Sequence, residues 1–218
     1  MNQKLLALAA VCVIFAVINL GSRAAQPGPR QAPFAALVSP ASCAQPQWPA
    51  EAVRYEITGA TTVRFQIGED GKVLRPAVTH SSGWGILDAA AVAGIARCVF
   101  KPGLAEAREG AVFALQYVWQ FSDAPAARPL LVKDSCAPSD RFAGFREADQ
   151  RPSGADGMLL RFLLDADGAP RRVVAEPNGQ PPALAGQAAA YLQTCRFAYQ
   201  AGQAGERTDT GFGRVLLK

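Results

Sequence analysis

The stretches TTVRFQIGEDGKV at residues 61–73 and MLLRFLLDADGAP at residues 158–170 decide the fold of this 218-residue chain. In the first, apolar and polar residues alternate from Thr61 to Ile67, and this period of two predicts a half-buried strand. The Asp70-Gly71 pair then predicts a hairpin turn, because glycine supplies the positive φ angles that such turns need. The second stretch repeats the strand and the turn.

The two stretches belong to a longer internal repeat with an offset of 97 residues. In this register, without a gap, Arg64-Phe65 aligns with Arg161-Phe162, Asp70-Gly71 with Asp167-Gly168, and Cys98 with Cys195. Chance is a poor explanation for three such motifs in one register. The sequence therefore predicts a duplicated structural unit.

Each repeat is predicted to contain the same elements in the same order. In the first, residues 73–79 return as a second strand, which should lie at an edge or carry a break because of Pro76, and residues 81–83 begin a helix over 86–97. Residues 112–121 form a third strand, and its aromatic side, from Phe113 to Phe121, should be the packed one. In the second, the strands are 158–164, 169–176 and 211–217, and the helix is 182–195. The polar residues 137–156 are expected to be looser. The predicted fold class is α+β, with two tandem modules, each a small antiparallel sheet packed by one helix.

Four cysteines outside the N-terminal apolar run predict how the modules are closed. They are Cys43, Cys98, Cys136 and Cys195. Because Cys43 and Cys136 precede their repeats at nearly the same place, the repeat favours the pairs Cys43–Cys98 and Cys136–Cys195. Buried, reduced cysteines are the alternative.

The N-terminus predicts export. Lys4, an apolar run from Leu5 to Leu20 and the small residues Ser22 and Ala24 are typical of a signal peptide, and an uncleaved anchor is the alternative. We therefore divide the chain into a signal peptide or anchor at 1–25, a proline-rich tether at 26–42, a first module at 43–121, a linker at 122–135 and a second module at 136–218. The location is periplasmic, or anchored in the inner membrane and facing the periplasm. Membrane contact is expected only if the segment stays uncleaved.

Composition and charge argue against several functions. The net charge is only +4 and no run of Lys or Arg is longer than two, so no nucleic-acid partner is expected. The single histidine, His80, is adjacent in sequence to Ser81 and Ser82, which fits a helix entry better than a catalytic triad. We expect no enzyme activity, no metal site and no cofactor.

Five motifs of the first repeat, in order, resemble the C-terminal domain of TonB-family energy transducers. They are Trp48-Pro49, the strand around Val63-Arg64-Phe65, Asp70-Gly71, Ser81-Ser82-Gly83 and Cys98-Val99-Phe100-Lys101-Pro102. The resemblance covers residues 43–121. The second repeat keeps only the hairpin and the Cys-x-Phe motif, so it is interpreted as a divergent copy.

The resemblance implies binding of an envelope protein, such as a segment of an outer-membrane receptor, by strand addition, and a link to transport across the membrane. The edge would be the third strand, with Val112, Ala114, Gln116, Val118 and Gln120 as candidate contacts and Trp84 as a candidate exposed contact. The apolar run lacks a histidine or acidic residue, and a tether of about 20 residues reaches only roughly 60 Å if it is fully polyproline-like, so the chain resembles a paralogue rather than a transducer. The alternative is a structural or self-assembling protein whose two modules pair through their edge strands.

Overall fold

The computed structural model describes residues 30–31, 36–43, 45–102, 111–121 and 126–218. The predicted signal peptide or anchor lies outside these ranges, as do residues 26–29 and 32–35 of the predicted tether and the first residues of the predicted linker. Within the described ranges, no helix is both long and apolar enough to cross a membrane.

The first predicted repeat, together with Arg30–Gln31 of the predicted tether, forms a four-stranded sheet with one long helix. Strand β1 is Arg30–Gln31, helix α1 is Ala50–Arg54, β2 is Gly59–Ile67, β3 is Val73–His80, α2 is Gly85–Ala96 and β4 is Phe113–Trp119. A short 3-10 helix at Pro40–Cys43 precedes α1. The strand order is β1-β4-β2-β3, with β2 antiparallel to both neighbours. The strand that contains Pro76 is therefore an edge strand, as predicted.

The core of this part lies between the sheet and α2. Val63 and Phe65 of β2 belong to one buried cluster with Leu87, Ala91 and Ile95 of α2. The residues between them on β2 are half-buried or exposed, so the predicted alternation is confirmed. We call the face of each sheet that is turned away from its long helix the outward face.

The second predicted repeat forms a second four-stranded sheet. The elements after β4 are β5 Leu130–Leu131, which precedes this repeat, β6 Phe142–Glu147, β7 Gly157–Leu164, β8 Pro170–Glu176, α3 Pro182–Gln193, β9 Phe197–Ala198 and β10 Thr210–Leu217. The strand order is β6-β10-β7-β8, and β5 and β9 form a separate two-stranded pair. The chain thus has a mixed α+β structure with two antiparallel sheets.

The two sheets correspond in their element bounds. Helix α3 begins and ends 97 residues after α2, and β8 begins 97 residues after β3. Arg64 pairs with Ala114 and Arg161 pairs with Phe212, so the last strands correspond with one additional residue. One expectation was wrong, because residues 142–147 of the segment expected to be looser form β6. Leu130–Leu131, within the predicted linker, form β5, and the linker stays a prediction.

The hairpin glycines fix each hairpin to the chain that leaves the helix. Gly71 has a φ of 79°, and a Cβ at this position would overlap the carbonyl oxygen of Phe100. The Phe100 amide donates to the Gly71 carbonyl at 2.8 Å. Gly168, with a φ of 72°, and Phe197 repeat this arrangement, with a hydrogen bond of 2.9 Å. Only glycine fits here, because the position needs both a left-handed backbone and a close approach.

The serines before α2 hold its first turn, although not as predicted. The N-cap residue is Trp84, and it makes no side-chain cap hydrogen bond. The hydroxyls of Ser81 and Ser82 instead donate to Asp88 at 2.5 and 2.9 Å, and Thr61 of β2 donates to the same carboxylate at 2.8 Å. The Asp88 carboxylate therefore ties the helix to the sheet.

Both predicted disulfides are confirmed. Cys43 is bonded to Cys98, and Cys136 is bonded to Cys195. In each half, the bond joins the segment that enters the sheet to the end of the long helix.

The outward face of the second sheet packs against the first half of the chain, by which we mean the described residues before β5. The contact is made near the end of α1 and the start of α2. Leu159 and Leu163 of β7 belong to the same buried cluster as Tyr55, which follows α1. The rings of Trp84 and Phe212 meet edge to face, with centroids 5.8 Å apart. As a result, every residue of β7 is buried, whereas β2 alternates.

Candidate functional site

One edge of the first sheet is largely open. Strand β1 pairs with β4 only at Phe113 and Ala114. From Leu115 to Trp119, no strand among the described residues covers the outer edge of β4. An edge strand with free N–H and C=O groups can pair with another extended segment.

A groove of about 470 Å³ runs along this open edge. One side of the groove is formed by residues 115–120. The other side is formed by the segment that begins at the disulfide cysteine, with the lining residues Cys43, Gln45, Pro46 and Trp48. We call this second side the groove wall. The groove is therefore as long as the open part of β4 and is bounded by side chains from another part of the chain.

The groove wall is held against α2 at two places. The Cys43–Cys98 disulfide joins its first residue to the end of the helix. Further along, Pro46 packs so closely on Gly94 of α2 that a Cβ at Gly94 would lie 2.8 Å from the proline Cβ. The wall is thus positioned by a covalent bond and by a contact that needs a small residue in the helix.

Aromatic rings form the end of the groove. Trp48 of the groove wall stacks on Phe121 with ring centroids 4.3 Å apart, and it lies 6.1 Å from Trp119. Tyr117 lies 6.4 Å from Trp119 in turn. These rings offer a large apolar surface beside the backbone of β4.

Three polar atoms on these rings are buried without a hydrogen-bond partner in the part of the chain that the structure describes. They are the indole nitrogens of Trp48 and Trp119 and the hydroxyl of Tyr117. Burial raises the pKa of Tyr117 to about 12, although the positive charge of Arg97 acts in the opposite direction. At neutral pH all three groups are therefore hydrogen-bond donors. A buried donor that lacks an acceptor costs about 1–3 kcal/mol.

The predicted contact residues lie on or next to β4. Gln116 and Val118 are exposed, Ala114 is half-buried beside β1, and Val112 and Gln120 flank the strand. Their binding role stays a prediction. Sequence reasoning placed the aromatic side of this strand in the core, and Trp119 is indeed buried, but it missed the groove because the wall comes from distant residues.

The expectation for Trp84 was wrong. Its side chain is fully buried, with 0% exposure, and it packs against Phe212 of the second sheet. The sequence places Trp84 in a loop between a strand and a helix, and this local position predicted an exposed side chain. The second sheet covers it, and this long-range packing has no local sequence pattern.

The corresponding edge of the second sheet is closed. Strand β6 pairs with β10 from Gly213 to Leu217, which is the part of β10 that corresponds to the open residues 115–119 of β4. The predicted alternative, in which the two modules of one chain pair through their edge strands, was therefore wrong for the single chain. The edge of β10 is occupied by its own half, and the two sheets are separate.

The serine and histidine residues have structural contacts. Ser81 and Ser82 donate to Asp88, as described above, and His80 pairs with Thr62 across the β2–β3 ladder. Within the described ranges, no group of three or more His, Cys, Asp or Glu side chains is arranged to hold a metal ion. The groove, with its open strand, is the feature that best fits a ligand.

A small antiparallel sheet with one helix and an open edge is typical of a module that binds an extended segment. The family model of the Gram-negative bacterial TonB protein C-terminal matches residues 44–121. This match supports a TonB C-terminal domain over these residues, a non-catalytic domain that generally interacts with envelope proteins. It suggests a TonB-like, periplasmic role in protein interaction. No curated protein matches the chain.

Proposed function

We propose that the chain is a non-enzymatic periplasmic protein with two tandem TonB C-terminal-like modules, at residues 43–121 and 136–218. We propose further that the first module binds an extended segment of an envelope protein by strand addition to β4. The observation that carries this proposal is the open edge from Leu115 to Trp119 beside an aromatic groove.

The second sheet supplies a precedent for the bound state. Strand β6 lies on the corresponding part of β10, so the chain already contains one added strand at this position. Gly213, which corresponds to Leu115, lets β6 approach, because a Cβ there would lie 2.6 Å from the Phe145 ring. In the first half, the segment after the disulfide forms the groove wall and α1 instead, so the place on β4 is free for another chain.

The unpartnered donors support the same proposal. A strand bound in the groove brings backbone carbonyl oxygens, and polar side chains bring more acceptors. The N–H and O–H groups of Trp48, Trp119 and Tyr117 are closed to solvent in the free protein, so binding supplies partners for them when the rings shift toward the bound strand. This is an energetic reason for the groove to favour a polar, extended ligand over an empty state.

The test is photo-crosslinking in a Gram-negative host, with a benzophenone amino acid placed at Gln116 or Val118 of β4. The matched control carries the same residue at Thr79 of β3, which is exposed on the opposite edge. We expect partner adducts from the β4 positions only. A peptide with the sequence of the crosslinked site is then added to the purified protein while amide exchange is measured.

Two results would contradict the proposal. In the first, the adducts arise equally from β3 and β4. In the second, the peptide binds but does not slow the exchange of the amides of residues 115–119. The amides of Gly213–Leu217, which β6 covers, are the internal reference and must already exchange slowly in the free protein. Adducts that contain only two copies of this chain would favour self-assembly instead.

A further inference from the structure

The outward faces of the two sheets carry an arginine at the same place. Arg64 on β2 and Arg161 on β7 are 97 residues apart, and each pairs with the last strand of its sheet, at Ala114 and Phe212. The two side chains have very different surroundings. Arg161 is 4% exposed, whereas Arg64 is exposed.

In the second sheet, this arginine holds a segment of the first half. Arg161 donates to Glu51 of α1 at 2.7 Å and also to Glu176 of β8. Its guanidinium lies 5.1 Å from the centre of the Tyr55 ring. The hydroxyl of Tyr55 donates to the carbonyl of Arg172 at 2.9 Å. A glutamate and a tyrosine one helical turn apart therefore dock together on this face.

In the first sheet, the equivalent positions are also arginines. Arg75 corresponds to Arg172, and both have a left-handed backbone, with φ of 50° and 45°, at the same break in the strand pairing. This conformation is uncommon for residues other than glycine, so its recurrence indicates the same local form of the strand in both sheets. Arg64 and Arg75 line a shallow pocket of about 190 Å³ together with Gln66.

The pocket presents positive charge for which none of the described residues supplies a counter-ion. Arg64 and Arg75 are exposed, and neither has an ion pair with any of the described residues. Apolar side chains lie beside the two arginines, with Leu74 at 46% exposure on the same sheet and Val112 in the pocket lining. A face with two unpaired arginines beside apolar residues is complementary to an acidic segment with an aromatic or apolar side chain.

We infer that the outward face of the first sheet, at Arg64 and Arg75, docks a protein segment with a carboxylate and an aromatic residue one helical turn apart. The segment binds as Glu51 and Tyr55 bind the second sheet. A second copy of this chain is not the occupant, because its own Glu51 and Tyr55 are already held by its second sheet. The inference concerns a surface distinct from the β4 groove and does not depend on strand addition.

The test uses the oxidised protein of residues 26–218 and a capped peptide with the sequence of residues 49–58, which contains both docking side chains. The ¹⁵N resonances of the protein are followed as the peptide is added to millimolar concentration. We expect saturable shifts at Arg64, Arg75 and Gln66. R64Q should lower the affinity by about two- to fivefold, the effect of losing an exposed ion pair. The peptide that carries E51Q should bind the wild-type protein more weakly by the same factor. On the R64Q protein, E51Q in the peptide should cause no additional loss of affinity.

The matched control is R97Q, which removes an exposed arginine next to the groove and should leave the affinity unchanged. No shifts at millimolar peptide, shifts confined to residues 115–120, or equal affinity for R64Q and wild type would each overturn the inference. The chain's own acidic residues 106 and 109 are tested with E106Q/E109Q. If that variant shifts the Arg64 side-chain resonance without peptide, the occupant is this part of the chain and an external partner is excluded.

Discussion

Arg161 of β7 donates a hydrogen bond of 2.7 Å to Glu51 of α1, although 110 residues separate them in the chain. The arginine side chain is 5% exposed, and it also pairs with Glu176, whose side chain is 13% exposed. This ion pair joins the second sheet to the first half, and Arg64 has no corresponding ion pair among the described residues. Of these two equivalent arginines, Arg161 stabilises the contact between the sheets, whereas Arg64 is exposed.

Removing the buried arginine should destabilise the protein much more than removing the exposed one. R161M leaves the half-buried carboxylate of Glu176 without its arginine and with only the amide of Gly85 as a donor. We expect a loss of about 3 kcal/mol in the free energy of unfolding. E51Q removes a carboxylate that is 51% exposed and should cost less than about 1 kcal/mol. R64M is the matched control in the first sheet and should change the free energy by less than about 0.5 kcal/mol. Urea unfolding measures all three, and equal losses for R161M and R64M would contradict the assigned role.

The hairpin glycines should tolerate no side chain. G71A and G168A each place a Cβ against a backbone carbonyl, of Phe100 and Phe197, at a positive φ. Gly179 also has a positive φ, of 82°, but a Cβ there would have nothing within 4 Å. We expect G179A to lower the free energy of unfolding by about 1 kcal/mol from backbone strain alone. G71A and G168A should lose clearly more in thermal and urea unfolding, because the turn must move, and losses no greater than that of G179A would show that the close approach is absent.

The carboxylate of Asp149 should make stability depend on pH in acid. Its hydrogen bonds with Arg151 and the charge of the buried Arg214 lower the pKa of Asp149 to about 2. Since the folded pKa lies below the unfolded value, the stabilisation is complete above about pH 4 and is lost as the pH falls through about 2. We expect the wild-type protein to lose unfolding free energy more steeply than D149N between these pH values. Parallel urea midpoints for the two proteins at pH 5, 4, 3 and 2 would contradict this.

The two disulfides should contribute similarly to stability but differently to binding. They close loops with sequence separations of 55 and 59, so each stabilises the fold by about 4 kcal/mol in the chain-entropy model. Only Cys43 belongs to the groove wall. We expect C43A/C98A and C136A/C195A to have comparable losses in the free energy of unfolding, while only C43A/C98A weakens binding of the peptide identified by crosslinking. Equal weakening by both pairs would show that the groove wall is not the reason.

The local pattern of the sequence was sufficient for the elements of each sheet. The alternation from Thr61 to Ile67, the Asp-Gly turns, Pro76 in an edge strand and the cysteine pairs were predicted, because each depends on neighbouring residues or on the repeat. The aromatic side of β4 was likewise placed toward the core.

What only the tertiary structure decided was which edges and faces are covered. The repeat predicts that β4 and β10 have equally accessible outer edges. In the structure β6 pairs with β10 and closes its edge, whereas no described strand covers β4 from Leu115 onward. The repeat also predicts equal faces, yet Arg161 is buried by the first half and Arg64 is exposed. Such differences arise from contacts between residues far apart in the chain. The burial of Trp84 and the pairing of β6 with β10 are contacts of this kind, and they leave no periodic pattern in the local sequence. The sequence determined the two sheets, and long-range packing determined which of them offers a surface for binding.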